Sequence, residues 1–437
     1  MKIGVIGTGH VGLVTCASLA KVGHEVVGVD VDAEKIAMLR DGRSWFYEPG
    51  LDEMLAELLD GGSLSFSTQS EDAVAEADVA FICVGTPPRA TGEANLVAVE
   101  QSAIDVARKS TKQTVVVEKS TVPAGTAQRL RRTLKQVRSS SLPELEIASN
   151  PEFLREGKAI EDSMHPERIL VGADSEWAFE KMREVYAPWV AQGYPLVETN
   201  IATAELAKHA CNAFLSLKIS FANALARMCE RAGADVVDVV DVMGSDSRIG
   251  RAFLNAGLGY GGYCFPKDIQ AFERLASGLG YDFPLLREVE RINEEALDAA
   301  VEKVVDALWN LEDKRVALFG LAFKPETDDS RFAPALGVAR RLLDRGADVV
   351  AYDPVVRDEA AAEVPGLRLA PDLYAAADGA DCVVVCTEWQ EFKDVDLAKL
   401  RSVMSRPIIV DGRNVFDPES VGAAGFAYYP MGRRAIV

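Results

Sequence analysis

Cys264 is placed differently from the other cysteines of this chain. It lies in Gly261-Gly262-Tyr263-Cys264-Phe265-Pro266-Lys267-Asp268. The glycines allow a ligand to come close, and Pro266 suits the first turn of a helix, so Cys264 is expected just before a helix N-terminus. The helix dipole and Lys267 would favour thiolate over thiol there. A thiolate can attack an aldehyde carbon and carry an acyl group; a structural core thiol is the plainer alternative. Lys208 and Asn212 are four residues apart in a helical stretch, with Ser216 and Ser220 continuing the line. An ammonium and an amide on one helix face can hold an oxyanion, or form only a polar stripe between helices or toward solvent. Glu152 and Glu156 flank Phe153-Leu154-Arg155, at i,i+4 if that segment is helical. A carboxylate there can act as a general base or position a water, unless both lie on the surface. Lys324, Arg331 and Arg413 fall at strand-end loops, where open α/β sheets bind ligands. Three cations there suit a diphosphate.

A second motif concerns a cofactor. Gly7-Thr8-Gly9-His10-Val11-Gly12 fits G-x-G-x-x-G between a strand and a helix. Gly7 allows the tight turn, Gly9 lets the backbone approach a pyrophosphate, and Gly12 permits close helix–strand packing. Asp30, at the end of the next apolar run, suits the ribose hydroxyls and would repel a 2′-phosphate, which points to NAD.

These motifs need a scaffold. Lys2–Ile6, Glu25–Asp30, Asp78–Val84, Thr114–Glu118 and Leu145–Ser149 read as buried strands, with a helix over Val11–Val22. The plan recurs near the C-terminus, with strands at Arg315–Phe319, Ala347–Asp353, Asp381–Cys386 and Pro407–Asp411 and a helix at Ala335–Leu343. The second copy replaces the glycine motif by Gly320-Leu321-Ala322-Phe323-Lys324-Pro325, so it binds a nucleotide differently or not at all. Between the copies lie a long helix, Thr203–Gly233, a glycine-rich loop, 244–262, and a helix over Leu285–Leu308. The expected fold is α/β: two Rossmann-like parallel-sheet domains, residues 1–200 and 301–437, joined by a central helical region, 201–300, whose long helix can form a domain spine or a dimerisation contact.

Composition narrows the partners. The chain has 437 residues, 48% of them apolar, and a net charge of −20. A broad nucleic-acid or acidic-membrane surface is not expected, and no apolar run approaches the roughly 18 residues that span a bilayer. The opening MKIGVIG reads as a strand, so no signal peptide is expected. Seven cysteines without C-x-x-C, with Cys16, Cys83, Cys211, Cys382 and Cys386 in apolar runs, read as reduced core thiols of a cytoplasmic protein. With only four histidines and no H-x-x-x-H pair, no metal site is expected.

Over essentially its whole length the chain resembles the UDP-glucose/GDP-mannose dehydrogenase family. The resemblance is carried by GTGHVG at 7–12, VGTPP at 84–88, EKSTVPAGT at 118–126, NPEFLREG at 150–157, AELAKHACNAFLSLKISF at 204–221, GYGGYCFPKD at 259–268, GLAFKPETDDSR at 320–331 and DGRN at 411–414. CTEW at 386–389 and the DDSR form look most like the UDP-glucose branch.

The resemblance implies oxidation of the C6 alcohol of UDP-glucose to UDP-glucuronate, with two NAD⁺ and one water per substrate. Alternatives are GDP-mannose or a UDP-N-acetylhexosamine as substrate, a one-step hydroxyacid dehydrogenase, and a nucleotide-sugar-binding protein without catalysis. It implies Cys264 as nucleophile through a thiohemiacetal and a thioester, and Lys208 and Asn212 at the oxyanion. Asp268 would support Lys208 and a water, and Glu152, Glu156 and Thr121 would handle protons and water. Around NAD it implies Gly7, Gly9, His10, Val11, Gly12, Asp30, Lys35, Thr86, Thr121, Glu156, Lys267 and Arg331. Around the nucleotide-sugar it implies Phe153, Leu154, Lys208, Asn212, Arg248, Phe253, Leu254, Asn255, Gly261, Lys324 and Arg413. Arg248 would reach a partner subunit, making the protein a homodimer or larger. Tyr263, Phe332 and Ala256 stand where the family usually has Ser, Glu and Pro.

Overall fold

A computed structural model describes residues 1–356 and 358–437. The described chain divides into two compact units, residues 1–211 with 270–280 and residues 212–269 with 281–437.

The first unit carries β1 (Lys2–Ile6), β2 (Glu25–Val29), β3 (Leu64–Ser67), β4 (Val79–Ile82), β5 (Thr114–Glu118), β6 (Leu145–Ser149), β7 (Ile169–Ala173) and β8 (Leu196–Thr199), in the order β3-β2-β1-β4-β5-β6-β7-β8. The Val- and Ile-rich strands are buried on both faces because helices cover both. One apolar cluster packs Leu13, Leu39 and Leu55 on one side; another packs Val99, Val106 and Leu130 on the other. The sheet departs from the all-parallel expectation at one place: β7 runs antiparallel to β6, while β8 is parallel to β7. Only the six-residue helix Ala159–Met164 lies between β6 and β7, and an antiparallel neighbour needs no full crossover.

The second unit carries β9 (Arg315–Phe319), β10 (Asp348–Tyr352), β11 (Arg368–Leu369), β12 (Cys382–Val385), β13 (Ile408–Asp411) and β14 (Ala427–Pro430), in the order β11-β10-β9-β12-β13-β14. Its described pairings are all parallel. Both sheets therefore share the 3-2-1-4-5 strand order that places ligands at the carboxyl ends of the strands. The long helix spans Ile201–Ala232; its residues through Cys211 group with the first unit and those from Asn212 with the second. The helix Pro284–Leu308 begins with proline in its first turn and buries Val289, Leu297, Val301 and Val304. Among the described residues, no helix is long and apolar enough to cross a membrane.

Candidate active site

The glycine turn after β1 has three sterically distinct glycines. Gly7 has φ of +93°, and a Cβ on Gly12 would lie 1.8 Å from the Gly7 carbonyl oxygen. A Cβ on Gly9 would meet nothing described within 4 Å, so that backbone is open to a ligand. Gly9 precedes the helix His10–Lys21 and supplies no side-chain cap, leaving first-turn N–H groups for an anion. Asp30, half-buried at the end of β2, accepts from Thr8 N and Thr8 Oγ1 at 2.9 and 3.0 Å and from Asp32 N at 3.1 Å. The Lys35 ammonium lies 4.1 Å over the Trp45 ring. Thr86 and Thr121 meet where β4 and β5 end, the Thr86 hydroxyl donating to the Thr121 carbonyl at 3.0 Å. These residues fit a dinucleotide.

The segment after β6 is a loop rather than a helix, so Glu152 and Glu156 are not related by i,i+4 helical geometry. Glu152 Oε2 turns back onto the loop's own backbone and accepts from Leu154 N at 2.6 Å. Glu152 is buried, against the surface alternative, and Oε1 accepts from Lys208 Nζ at 2.9 Å. The Phe153 ring lies under two cations, with Arg168 at 4.0 Å and Lys208 at 5.4 Å from its centroid.

In the second unit Cys264 is half-buried and is the first residue of the helix Cys264–Gly278, one position further in than expected. Asp268 is buried and doubly held: Oδ1 accepts from Lys267 Nζ at 2.5 Å and Oδ2 from Asn212 Nδ2 at 2.6 Å. Lys208, Asn212, Ser216 and Ser220 are all buried, which removes the solvated-stripe alternative. Beside Cys264, the Tyr263 ring carries the Arg331 guanidinium 4.4 Å above it, and Asp329 holds that guanidinium from the side at 2.8 and 2.7 Å. Burial raises the Tyr263 phenol, opposed by Lys267 and Arg331. The loop leading to Cys264 packs tightly: a Cβ on Gly261 would sit 2.4 Å from the Phe332 carbonyl oxygen.

The two acidic strand ends diverge. Asp353, after β10, takes Leu321 N, Ala322 N and Trp389 Nε1 on Oδ2, and Val355 N and Val356 N on Oδ1. It is buried and saturated, so it has no room for ribose hydroxyls. The turn after β9 also lacks an immediate helix, the next one being Pro334–Leu343. Arg413, after β13, donates to the carbonyls of Cys386, Gly259 and Phe323 and lies next to Glu388.

Family models agree with this architecture. The UDP-glucose/GDP-mannose dehydrogenase family models match residues 1–190 (NAD binding domain), 202–295 (central domain) and 317–418 (UDP binding domain). The chain belongs to this family. The UDP-glucose 6-dehydrogenase YwqF of Bacillus subtilis (strain 168) is 42% identical over 438 residues, covering 100% of this chain and 99% of that protein. The UDP-glucose 6-dehydrogenase of Rhizobium meliloti (strain 1021) is 43% identical over 99% of this chain and 100% of its own length. A solved UDP-glucose dehydrogenase from Pyrobaculum islandicum superimposes with a TM-score of 0.92 at 39% identity, covering 99% of this chain and 98% of that one.

The remaining residues suggested by likeness to the UDP-glucose/GDP-mannose dehydrogenases are distributed as follows. Arg248 is exposed and ion-paired with Asp246 at 2.6 Å. Phe253 has φ of +65° and packs edge-on to Phe265, Leu254 is buried, and Asn255 is exposed and accepts from Arg251. Lys324 is half-buried, its ammonium 5.4 Å from the Phe323 ring centroid. Cys211 is half-buried with Arg168 3.7 Å from its sulfur, which corrects its reading as a core thiol; Cys229 is buried instead. Sequence reasoning missed Trp45, Glu48, Arg168 and the buried pair Glu118–Glu205. The pair's carboxyls are pushed up mainly by burial, and Glu118 also by the Glu205 charge. Only the carboxylate ending the apolar run Thr114–Glu118 hinted at that pair.

Proposed function

We propose that this chain is an NAD-dependent UDP-glucose 6-dehydrogenase, taking the C6 alcohol to UDP-glucuronate in two oxidations. The observation that carries the reading is Cys264 at the head of its helix, four residues before an aspartate held by Lys267 and Asn212. The relatives named above act on UDP-glucose by their names, and the family models supply the nucleotide-binding assignments.

Gly7, Gly9, His10, Val11, Gly12, Asp30, Lys35, Thr86 and Thr121 would hold NAD, with Glu156, Lys267 and Arg331 completing the set. Bound NAD⁺ supplies the hydride acceptor for each oxidation. The chain's own residues do the rest. Thr121, Glu152 and Glu156 take the alcohol proton and later position water. The Cys264 sulfur adds to the C6 aldehyde and converts a planar carbon, which has no readily lost hydride, into a tetrahedral thiohemiacetal. Lys208 and Asn212 hold its oxygen, and Asp268 orients Asn212. Loss of hydride leaves a thioester; water adds to it, the C–S bond breaks, and the thiolate returns with the carboxylate product.

Phe153, Leu154, Arg248, Phe253, Leu254, Asn255, Gly261, Lys324 and Arg413 would surround the nucleotide-sugar. This division assigns residues 1–200 to NAD, 201–300 to the helical core and 301–437 to the nucleotide-sugar. The proposal includes a homodimer or larger. Phe214, Phe221 and Met228 recur every seven residues on the long helix and are 61%, 47% and 65% exposed, an apolar stripe suited to a second copy of the same helix. The proposal also places the protein in the cytoplasm, where free thiols are kept reduced.

The test is NADH formed per UDP-glucose consumed with sugar limiting. The expected ratio is about two, abolished by thiol alkylation. A ratio of one would mean that oxidation stops at the aldehyde and Cys264 has no such role.

A further inference from the structure

The run 44–48 touches both chemical features of the first unit. Trp45 Nε1 donates to the Thr8 carbonyl within the glycine turn at 2.9 Å. The Phe46 ring lies 3.9 Å from the His10 ring at the head of the following helix. Two residues on, Glu48 is buried and accepts from Gly157 N and Ala159 N, both at 2.7 Å. Gly157 directly follows Glu156 and has φ of +75°. Ser44 N donates to Asp52 Oδ1 at 2.7 Å, anchoring the run to the helix Leu51–Asp60.

We propose that Glu48 is a positioning residue for Glu156, and that the run from Trp45 to Glu48 couples the dinucleotide turn to the acidic loop. Two N–H groups converge on one carboxylate, a geometry that sets the loop on the carboxyl side of Glu156. Glutamine could satisfy only one of them, since its NH₂ would face the other N–H. Glu205 makes the same arrangement with Gly125 N and Ala127 N at 2.7 and 2.9 Å, in the loop that carries Thr121. Buried carboxylates thus clamp two of the chemistry-bearing segments of this unit. The inference rests on reading Glu156 as a group that handles protons or water.

The test compares Glu48→Gln, Glu48→Asp, Glu156→Gln and Trp45→Phe in the full-length enzyme, with NADH formation followed as a function of pH and of each substrate. A displacement of about 1 Å at a reacting group can cost ~10²-fold, so Glu48→Gln should lower kcat by about 10- to 100-fold. Its pH profile should move toward that of Glu156→Gln, with kcat falling by a larger factor than KM for NAD⁺ rises. Glu48→Asp, which keeps both acceptor oxygens, should recover part of kcat, and it carries the test if Glu48→Gln does not fold. Trp45→Phe should raise KM for NAD⁺ more than it lowers kcat. A folded Glu48→Gln with parental kcat and pH profile, alongside an impaired Glu156→Gln, overturns the inference alone. Parental behaviour of Glu156→Gln overturns the reading of the loop and the inference with it.

Discussion

The Lys208–Glu152 pair allows stability and catalysis to be pulled apart. The nitrogen and oxygen are 2.9 Å apart, and the side chains are 4% and 6% exposed. Glu152→Gln removes the carboxylate that faces a buried ammonium, and breaking a buried ion pair from one side costs about 3–5 kcal/mol. The Phe153 ring 5.4 Å away offsets little of that, because such cation–π contacts contribute about 0.5–2 kcal/mol and this one is already present in the parent. For a unit of this size each kcal/mol moves Tm by about 2–4 °C, so the expected fall is roughly 6–20 °C. Lys208→Met should fall comparably, since it strands the carboxylate. The double variant Lys208→Met/Glu152→Gln buries no charge at either position and should regain most of the lost Tm. With Lys208 in its proposed place at the oxyanion, activity should stay down by about 10²-fold or more, because the double variant does not restore that cation. Thermal denaturation followed by circular dichroism, with NADH formation on the same samples, reads both quantities. A double variant that regains kcat along with Tm would make the pair structural only. Single variants with parental Tm would mean that the buried pair does not form.

Three further outcomes are expected. Asp30→Ala should weaken NAD⁺ far more than UDP-glucose in binding titrations, and equal loss of both would refute the ribose assignment. Glu118 has a raised pKa from burial and from Glu205, so the fold favours its protonated form. The stability linked to it is full below the ordinary carboxylate range and is lost as pH rises through the raised value. Glu118→Gln should therefore outlast the parent on heating at alkaline pH, with the gap closing on acidification; a gap independent of pH would contradict this. Phe221→Glu with Met228→Glu should shift the protein to a monomer by light scattering, and an unchanged mass would remove the long-helix stripe as the dimer contact.

Much of the scaffold was legible because its strands are buried on both faces and end abruptly. The runs Lys2–Ile6, Thr114–Glu118, Leu145–Ser149 and Arg315–Phe319 have the same limits in sequence and structure. Apolar runs that stop at glycine or a polar residue leave little freedom over where a doubly covered strand ends. Pairings were not legible. Lys208 meets Glu152 and Asn212 meets Asp268 across separations of 56 residues, and residue type names a charge without naming its partner. Glu48 was hidden for a related reason: its partners are backbone N–H groups, which every non-proline residue carries. The sequence relates Glu152 and Glu156 by i,i+4 only on the condition of a helix, and that spacing says nothing about a side chain that turns back onto its own backbone, as Glu152 does.

The two strand-end aspartates show where motif reading stops. Asp30 and Asp353 occupy equivalent places in two copies of one plan, and each accepts from the backbone of the turn beside it. Asp30 remains half-buried beside a turn with an open Gly9. Asp353 is closed off by the Trp389 indole, which comes from 36 residues further along the chain, and by the backbone N–H groups of Val355 and Val356. The same residue type at the same strand end is thus left half-buried, as the proposed ribose contact requires, in one sheet and closed off as a structural cap in the other. The deciding difference is how many donors the fold has already brought to the carboxylate. If the second copy binds the nucleotide-sugar as proposed, its saturated aspartate leaves recognition to other groups, and the cations after its strands, Lys324 and Arg413, are the candidates the proposal names.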